Sequence, residues 1–328
     1  MSGTRHQPPF QPPHAENSRG PHYVIGSDGA AFETARAALE RGYEAVVMVP
    51  RGDVGSRAIP SDIRARDFDD RNIASLTKRF EDAACVHYCA GTTGYPIDSD
   101  EPERLARLIE AVARARVRFV YCDAPYAYGV SNRPLSEDLP QRADDPLGKF
   151  LAALSQFVLQ SCHKGRIEAV VARHGDLVGP HARRSMLGEE FVEHVLRSKP
   201  VTIHGRRDVG RSLTYVRDLG RALVLLSEEP EALGQVWHVP TTPQISADKF
   251  AATLRAEAGL PAAHNLIHES GGRGLTGMFG VNAPERSLAR LHETPFMLIS
   301  AKFERAFGMH PTPLREFAVD TVLSLTNA

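Results

Sequence analysis

Three side chains that can exchange a proton follow the apolar run at residues 117–122: Asp123, Tyr126 and Tyr128. The run predicts a buried strand, and ligands bind beyond the carboxyl ends of the strands in open parallel sheets. A carboxylate or phenol held there can act as a general acid or base. These three residues are therefore the candidate catalytic residues. The alternative for Asp123 and Tyr126 is a hydrogen bond that only holds the loop. The alternative for Tyr128 is a purely structural role.

A glycine-containing turn follows the first apolar run of the chain. Gly26 and Gly29 precede a helical pattern, a context in which the N–H groups of a helix N-terminus bind the pyrophosphate of a dinucleotide. The third glycine of such a turn is replaced by Ala31 or Phe32, and Asp28 places a carboxylate where a phosphate would lie. The pattern favours a retained dinucleotide site over a strand–helix turn that binds nothing.

Arg51 follows the second apolar run, where NAD-binding folds place an acid that contacts the ribose hydroxyls. A guanidinium suits a 2′-phosphate better, so NADP is favoured over NAD if a cofactor binds. The alternatives are a solvated arginine and a protein that holds no cofactor.

Cys85, His87 and Cys89 alternate along one predicted strand and would face the same side of it. This spacing resembles a metal site only superficially, because structural zinc usually draws its cysteines from turns rather than from a buried strand. The sequence therefore predicts no metal.

These residues need a scaffold, and the chain predicts one from residue 22 onward. Short runs rich in Val, Ile and Tyr alternate with helical patterns, which indicates parallel strands joined by right-handed crossover helices. Strands are expected at 22–26, 45–49, 62–67, 84–89, 117–122 and 167–173, and helices at 30–41, 73–82, 99–115 and 146–163. The predicted fold class is α/β, a Rossmann-type doubly wound parallel sheet with a smaller C-terminal substrate-binding region.

The chain divides into three predicted segments. Residues 1–21 contain five prolines among polar residues and are expected to form a disordered arm. Residues 22–180 form the dinucleotide-binding core, and residues 181–328 form mainly the substrate-binding region, with elements that return to the core. In that region strands are expected near 201–203, 211–216 and 235–239, and helices near 186–198, 217–227, 246–258 and 312–326.

Composition limits the classes of partner. The 328 residues are 42% hydrophobic, enough for a sizeable core, and the 39 basic and 40 acidic residues leave no net field that attracts nucleic acid or an anionic membrane. No apolar run is long enough to span a bilayer. With four cysteines the chain reads as a reduced, cytoplasmic protein whose partners are a small-molecule substrate and further copies of itself.

The order of several motifs resembles the extended short-chain dehydrogenase/reductase superfamily, of the NAD-dependent epimerase/dehydratase kind. The motifs are Arg66-Asp67-Phe68, Val86-His87-Tyr88-Cys89-Ala90, Arg173-His174-Gly175-Asp176-Leu177-Val178-Gly179-Pro180, Arg211 to Leu219, and Ser300-Ala301-Lys302-Phe303 with Pro311-Thr312-Pro313-Leu314. The resemblance implies that the Asp67 carboxyl group contacts the adenine, that Phe68 belongs to the cofactor site, and that Cys89 and Ala90 line the cofactor. It also implies that Arg173 and Arg211 lie in the substrate site, and the alternative for Arg211 is an ion pair with a nearby acid.

The resemblance fails at the residues that carry the family's chemistry. Its substrate-polarising Ser or Thr corresponds to Ala124, and its Tyr-x-x-x-Lys pair corresponds to Leu147 and Leu151, which lie on one helix face. No tyrosine lies between Gly129 and Lys164, so a shifted alignment does not restore the motif. Leucines carry no proton, so any acid–base chemistry needs other residues.

The expected function is that of an atypical NAD(P)-binding epimerase/dehydratase-like protein that acts on a small metabolite. Such a protein would be a biosynthetic tailoring enzyme, either a reductase, an isomerase, a lyase or a cyclase. The alternative is a non-catalytic pseudoenzyme that binds a cofactor or ligand as a sensor or scaffold. The resemblance further implies a homodimer through helices 99–115 and 146–163, with contacts from Phe150, Phe157 and Val158.

Overall fold

The computed structural model describes residues 20–50, 59–90, 99–183, 185–263, 265–269 and 293–326. Most of the predicted N-terminal arm, and Arg51 with its predicted role in cofactor choice, lie outside the described residues.

A seven-stranded sheet forms the centre of the molecule. Its strands are β1 (His22–Ile25), β2 (Ala45–Pro50), β3 (Ala65–Phe68), β4 (Cys85–Tyr88), β5 (Arg118–Asp123), β6 (Ala169–Arg173) and β10 (Val236–His238). They lie in the order β10-β6-β5-β4-β1-β2-β3, and every neighbouring pair is parallel. This order reverses direction between β1 and β4, as expected for a doubly wound Rossmann-type fold, and the predicted fold class is confirmed.

Helices cover both faces of this sheet. They are α1 (Gly29–Glu40), α2 (Ile73–Phe80), α3 (Glu101–Ala115), α4 (Pro146–His163), α5 (Glu189–Leu196), α6 (Val216–Glu228), α7 (Ala247–Glu257), α8 (Ala301–Phe307) and α9 (Leu314–Thr326). Val24 and Val47 point into a core shared with α1 and α6, whereas the next residues, Ile25 and Met48, point into a core shared with α2 and α3. Successive strand side chains alternate between faces, so both faces of these strands are apolar.

Two small sheets lie outside the central one. β7 (Asp176–Val178), β9 (Gly210–Tyr215) and β11 (Gln244–Ser246) form a three-stranded sheet in the order β11-β9-β7, and β8 (Val201–His204) pairs with β12 (Leu266–Glu269). The C-terminal half of the chain therefore contributes both these sheets and strand β10 of the central sheet.

The predicted elements differ from the observed ones mainly at their ends and among the shortest strands. β3 begins at Ala65 rather than at residue 62, because the Ile63 N–H donates to the Pro60 carbonyl in a turn, at 3.0 Å. The sequence did not predict β7, β11 or β12, which have three or four residues each and form no apolar run. Within the described part of the chain, no helix combines the length and the apolar character needed to cross a membrane.

Candidate active site

The turn between β1 and α1 requires glycine at Gly26. Its φ is +154°, and a Cβ placed there would approach the Cβ atoms of Ala31 and Cys89 to 2.9 and 3.3 Å. The Asp28 side chain caps the N-terminus of α1, since the Ala30 N–H donates to Oδ1 of Asp28 at 3.1 Å. An anionic group therefore already lies at the N-terminus of α1.

Ala31 and Phe32, the two residues that can correspond to the third glycine, both have fully buried side chains. Gly26, Ser27 and Gly29 are buried as well, by residues of the same chain. A pyrophosphate needs exposed N–H groups and close access to the turn. The residues of this turn do not fit a dinucleotide.

The other residues predicted to hold the cofactor lie at the carboxyl ends of β3 and β4. Cys89 is buried against α1, with its Sγ 3.9 Å from Oγ1 of Thr34, and Ala90 is half-buried. Phe68 is packed in the core, whereas Asp67 is exposed to solvent. The structure thus brings Cys89 against the glycine turn and leaves the Asp67 carboxylate in water.

Ala124, Leu147 and Leu151 form a single apolar cluster. All three are at most 1% exposed, and the partly buried rings of Tyr126 and Phe150 pack against them. The cluster forms because Asp145 caps α4 by accepting the Gly148 N–H at 2.9 Å, which fixes the register of the helix beside the end of β5. At the three positions that the resemblance assigns to Ser, Tyr and Lys, the side chains are packed against one another.

Asp123 and Arg173 form a buried ion pair. Nε and Nη2 of Arg173 donate to Oδ2 of Asp123 at 2.9 and 2.6 Å, and each side chain is 1% exposed. β5 and β6 place the two residues side by side in the sheet register. Burial raises the pKa of Asp123, and Arg173 opposes this shift. Both groups are thus engaged within the protein, away from any solvent-facing site.

Tyr128 is hydrogen-bonded to a histidine that the sequence analysis did not identify. Nδ1 of His238 donates to the Ile299 carbonyl at 3.0 Å, so Nε2 carries the lone pair and accepts the Tyr128 hydroxyl at 2.7 Å. Burial lowers the pKa of His238 to about 3 and raises that of Tyr128. The Arg173 guanidinium lies over the Tyr128 ring, 4.6 Å from its centroid.

Tyr126 contacts a second buried ion pair, between Arg211 and Asp176. Nη2 of Arg211 donates to Oδ1 of Asp176 at 3.1 Å, and Nε of Arg211 also donates to this carboxylate. The Arg211 guanidinium hydrogen-bonds the Tyr126 hydroxyl as well, and burial nevertheless raises the pKa of Tyr126. Arg211 is 3% exposed, so its guanidinium serves partners inside the protein.

His174 is a further residue that the sequence did not single out as a candidate site residue. It follows β6 directly and is 4% exposed. Nδ1 donates to the Gly175 carbonyl at 2.6 Å, and Nε2 has no hydrogen-bond partner among the described residues. Burial lowers the pKa of His174 to about 4, so near neutral pH Nε2 is an unprotonated acceptor. The only sequence signal was its place after a predicted strand.

His87 pairs with another histidine rather than with the neighbouring cysteines. Its Nε2 lies 2.8 Å from Nδ1 of His22 on β1, and both imidazoles are buried. Within the described ranges, no three His, Cys, Asp or Glu side chains are grouped so as to hold a metal ion.

The sheet order and the motifs agree with one protein family. The model of the NAD-dependent epimerase/dehydratase family matches residues 24–239. The chain belongs to this family. Curated relatives include an uncharacterized UDP-glucose epimerase of Bacillus subtilis, 23% identical over 52% of this chain and 55% of its own length. A probable UDP-glucuronate 4-epimerase of Rhizobium meliloti is 25% identical over 50% of this chain and 45% of its own length. The chain spans about half the length of these curated relatives.

Solved structures of epimerases share the fold. The UDP-glucose 4-epimerase of Thermus thermophilus, in complex with NAD, superposes with a TM-score of 0.73 over 94% of this chain and 99% of its own, at 19% identity. At this identity the likeness establishes the epimerase/dehydratase fold alone.

Proposed function

We propose that this member of the epimerase/dehydratase family does not carry out the nicotinamide-dependent reaction of its relatives and acts as a non-catalytic binding protein, a sensor or scaffold. One observation carries the proposal. Ala124, Leu147 and Leu151, at the positions that the resemblance assigns to the proton-handling residues, are packed against one another and exclude water. An apolar cluster neither polarises a carbonyl group nor transfers a proton.

The ionisable groups nearby support the same proposal. A general acid or base works best when its pKa lies close to the operating pH. Burial holds His238 neutral and raises the pKa of Tyr128, so a proton has no favourable path between them near neutral pH. Asp123 is neutralised by Arg173. Of the groups that would replace a Tyr/Lys pair, Tyr128 and His238 are therefore held in single protonation states near neutral pH, and Asp123 is engaged in an ion pair.

Nucleotide sugars are the first compounds to test, because curated and structural relatives are described as acting on them or binding them. The purified chain is incubated with NAD and either UDP-glucose or UDP-glucuronic acid, and products are resolved by chromatography and mass spectrometry. The Thermus thermophilus epimerase with UDP-glucose serves as the positive control. We expect no conversion. An epimer or dehydrated sugar that forms only with NAD would overturn the proposal.

A second candidate function is that of a tailoring enzyme for a small metabolite, and His174 favours it. Its Nε2 is a buried acceptor without a partner in the described structure. It lies beyond the carboxyl end of β6, the end of the strands at which open sheets bind ligands. The same incubations without dinucleotide test this role. A product lost in His174→Gln and kept in His310→Gln, an exposed histidine, would support the enzyme and count against the non-catalytic proposal.

A further inference from the structure

We propose that residues 179–183, which follow β7, occupy the place of the dinucleotide pyrophosphate, so that this protein works without NAD or NADP. This inference is independent of the apolar cluster, because a protein without catalysis can still hold a dinucleotide. It concerns a different part of the molecule, the contact between that segment and the N-terminus of α1.

Two of the first N–H groups of α1, those of Gly29 and Ala30, are engaged within the chain. The Gly29 N–H donates to the His181 carbonyl at 2.9 Å. The Ala30 N–H donates to the Asp28 side chain at 3.1 Å. Anion binding at a helix N-terminus depends on these first N–H groups. A dinucleotide would have to displace the His181 carbonyl and the Asp28 carboxylate to reach two of them.

The segment also fills the space beside the glycine turn. A Cβ on Gly29 would lie 2.6 Å from the Pro180 carbonyl oxygen and 3.1 Å from the His181 carbonyl carbon. In a dinucleotide site the second glycine allows the backbone to approach the pyrophosphate closely. Here Gly29 allows an equally close approach of the chain's own backbone. The His181 ring then packs edge-on against Phe32, with the ring centroids 5.5 Å apart.

Electrostatic repulsion, like steric crowding, disfavours a pyrophosphate at this turn. Asp28 is the N-cap of α1, so its carboxylate takes the stabilisation that the helix dipole offers to an anion. A pyrophosphate brought to the same end would meet a like charge. The side chain therefore serves as an internal anion that replaces an external one.

The segment is held in place from its other side. Arg183 hydrogen-bonds Nδ1 of His181 at 3.2 Å and donates to Oε2 of Glu189 at 2.9 Å. The Glu189 N–H donates to the Ala182 carbonyl at 3.2 Å, and Ala182 is buried. These contacts attach the segment to the start of α5. It is therefore part of the packed fold, and opening it means breaking several hydrogen bonds together.

Titration calorimetry with NAD, NADH, NADP and NADPH tests the inference on the full chain. The Thermus thermophilus epimerase is the control that binds NAD. We expect no saturable binding by this protein at dinucleotide concentrations up to about 1 mM, and no nicotinamide released when the purified protein is denatured. Binding with a Kd in the micromolar range overturns the inference. If such binding occurs without turnover, the proposed loss of catalysis still stands, so the two failures are distinguishable.

Hydrogen exchange tests the contact itself. Arg183→Ala removes the hold on His181, and we expect faster exchange in peptides covering residues 26–32 and 179–183 together, because the two stretches protect each other. Arg197→Ala is the matched control. It removes a longer ion pair, with Glu193 of α5, the helix that Arg183 contacts through Glu189. Faster exchange confined to residues 179–183, or protection of residues 26–32 by added NAD, would contradict the proposed closure.

Discussion

The Asp123 carboxylate and the Arg173 guanidinium are withdrawn from solvent together, each 1% exposed, and each is tolerated in the interior because the other is present. Asp123→Asn keeps the shape of the side chain and removes its charge, which leaves an uncompensated guanidinium beside Tyr128. We expect the free energy of unfolding to fall by about 3–5 kcal/mol. Urea denaturation followed by circular dichroism measures this change.

The exposed pair Arg206–Asp208 provides the control. Its side chains are 60% and 66% exposed, so Arg206→Ala should leave the free energy of unfolding nearly unchanged. If Asp123→Asn is as mild as this control, the buried pair does not hold the end of β5 as we argue. A mild effect would return Asp123 to the list of groups that are free to act in catalysis.

Single-residue chemistry was only half predictable from the sequence. The place of Asp123, Tyr126 and Tyr128 after a buried strand was correct, since β5 ends at Asp123. Their partners were not predictable, because Arg173 and His238 lie 50 and 110 residues away along the chain from Asp123 and Tyr128. Local patterns indicate where a side chain lies in the sheet. They do not indicate which distant group neutralises it.

Helix α4 was predicted with the observed bounds, because its signals are local. Pro146 occupies the first turn and Asp145 caps it, and both fix the start of the helix regardless of its neighbours. No such local sequence signal predicted the contact between residues 179–183 and the N-terminus of α1. It joins stretches about 150 residues apart through backbone atoms, whose hydrogen bonds depend little on side-chain identity.

Helices α3 and α4 lie side by side, and we expect them to mediate homodimer formation. On α4 the side chains of Phe150 and Phe157 remain partly exposed, whereas Val158 is fully buried inside the subunit and cannot contribute as the sequence analysis expected. Phe150 and Phe157 are seven residues apart and therefore share one helix face. Light scattering should show a dimer at micromolar concentration, and Phe157→Asp should shift it to a monomer.

A control substitution to aspartate elsewhere on the surface separates this effect from a general effect of added charge. Ala252 is exposed on α7, and Ala252→Asp should leave the dimer intact. A wild-type protein that scatters as a monomer, or a Phe157→Asp variant that stays dimeric, would refute the role of this face.

Buried neutral histidines make the stability of the whole molecule depend on pH. Burial lowers the pKa of His22 and of His174 to about 4 and that of His238 to about 3, and it holds the pKa of His87 well below its usual value. In the unfolded chain each would titrate near its ordinary pKa of about 6.5. Between those values the unfolded state binds more protons, so acidification favours unfolding. The stabilisation is complete above about pH 6.5 and is lost as the pH falls toward 4.

Each buried histidine contributes a slope of up to about 1.4 kcal/mol per pH unit, so four give about 5 kcal/mol per unit, comparable to the whole stability of many domains. Glu33, Asp123 and Asp218 oppose this slope only in part, since burial raises the pKa of each and favours their protonated forms in the folded state as the pH falls. Urea midpoints should change little between about pH 7.5 and 6.5 and fall steeply between about pH 6.5 and 5.5. His174→Gln should flatten the slope by about one proton, and His310→Gln, on the surface, should not. A midpoint that does not change with pH would mean that these imidazoles are hydrated in the folded protein, and the closed interior argued here would then be wrong.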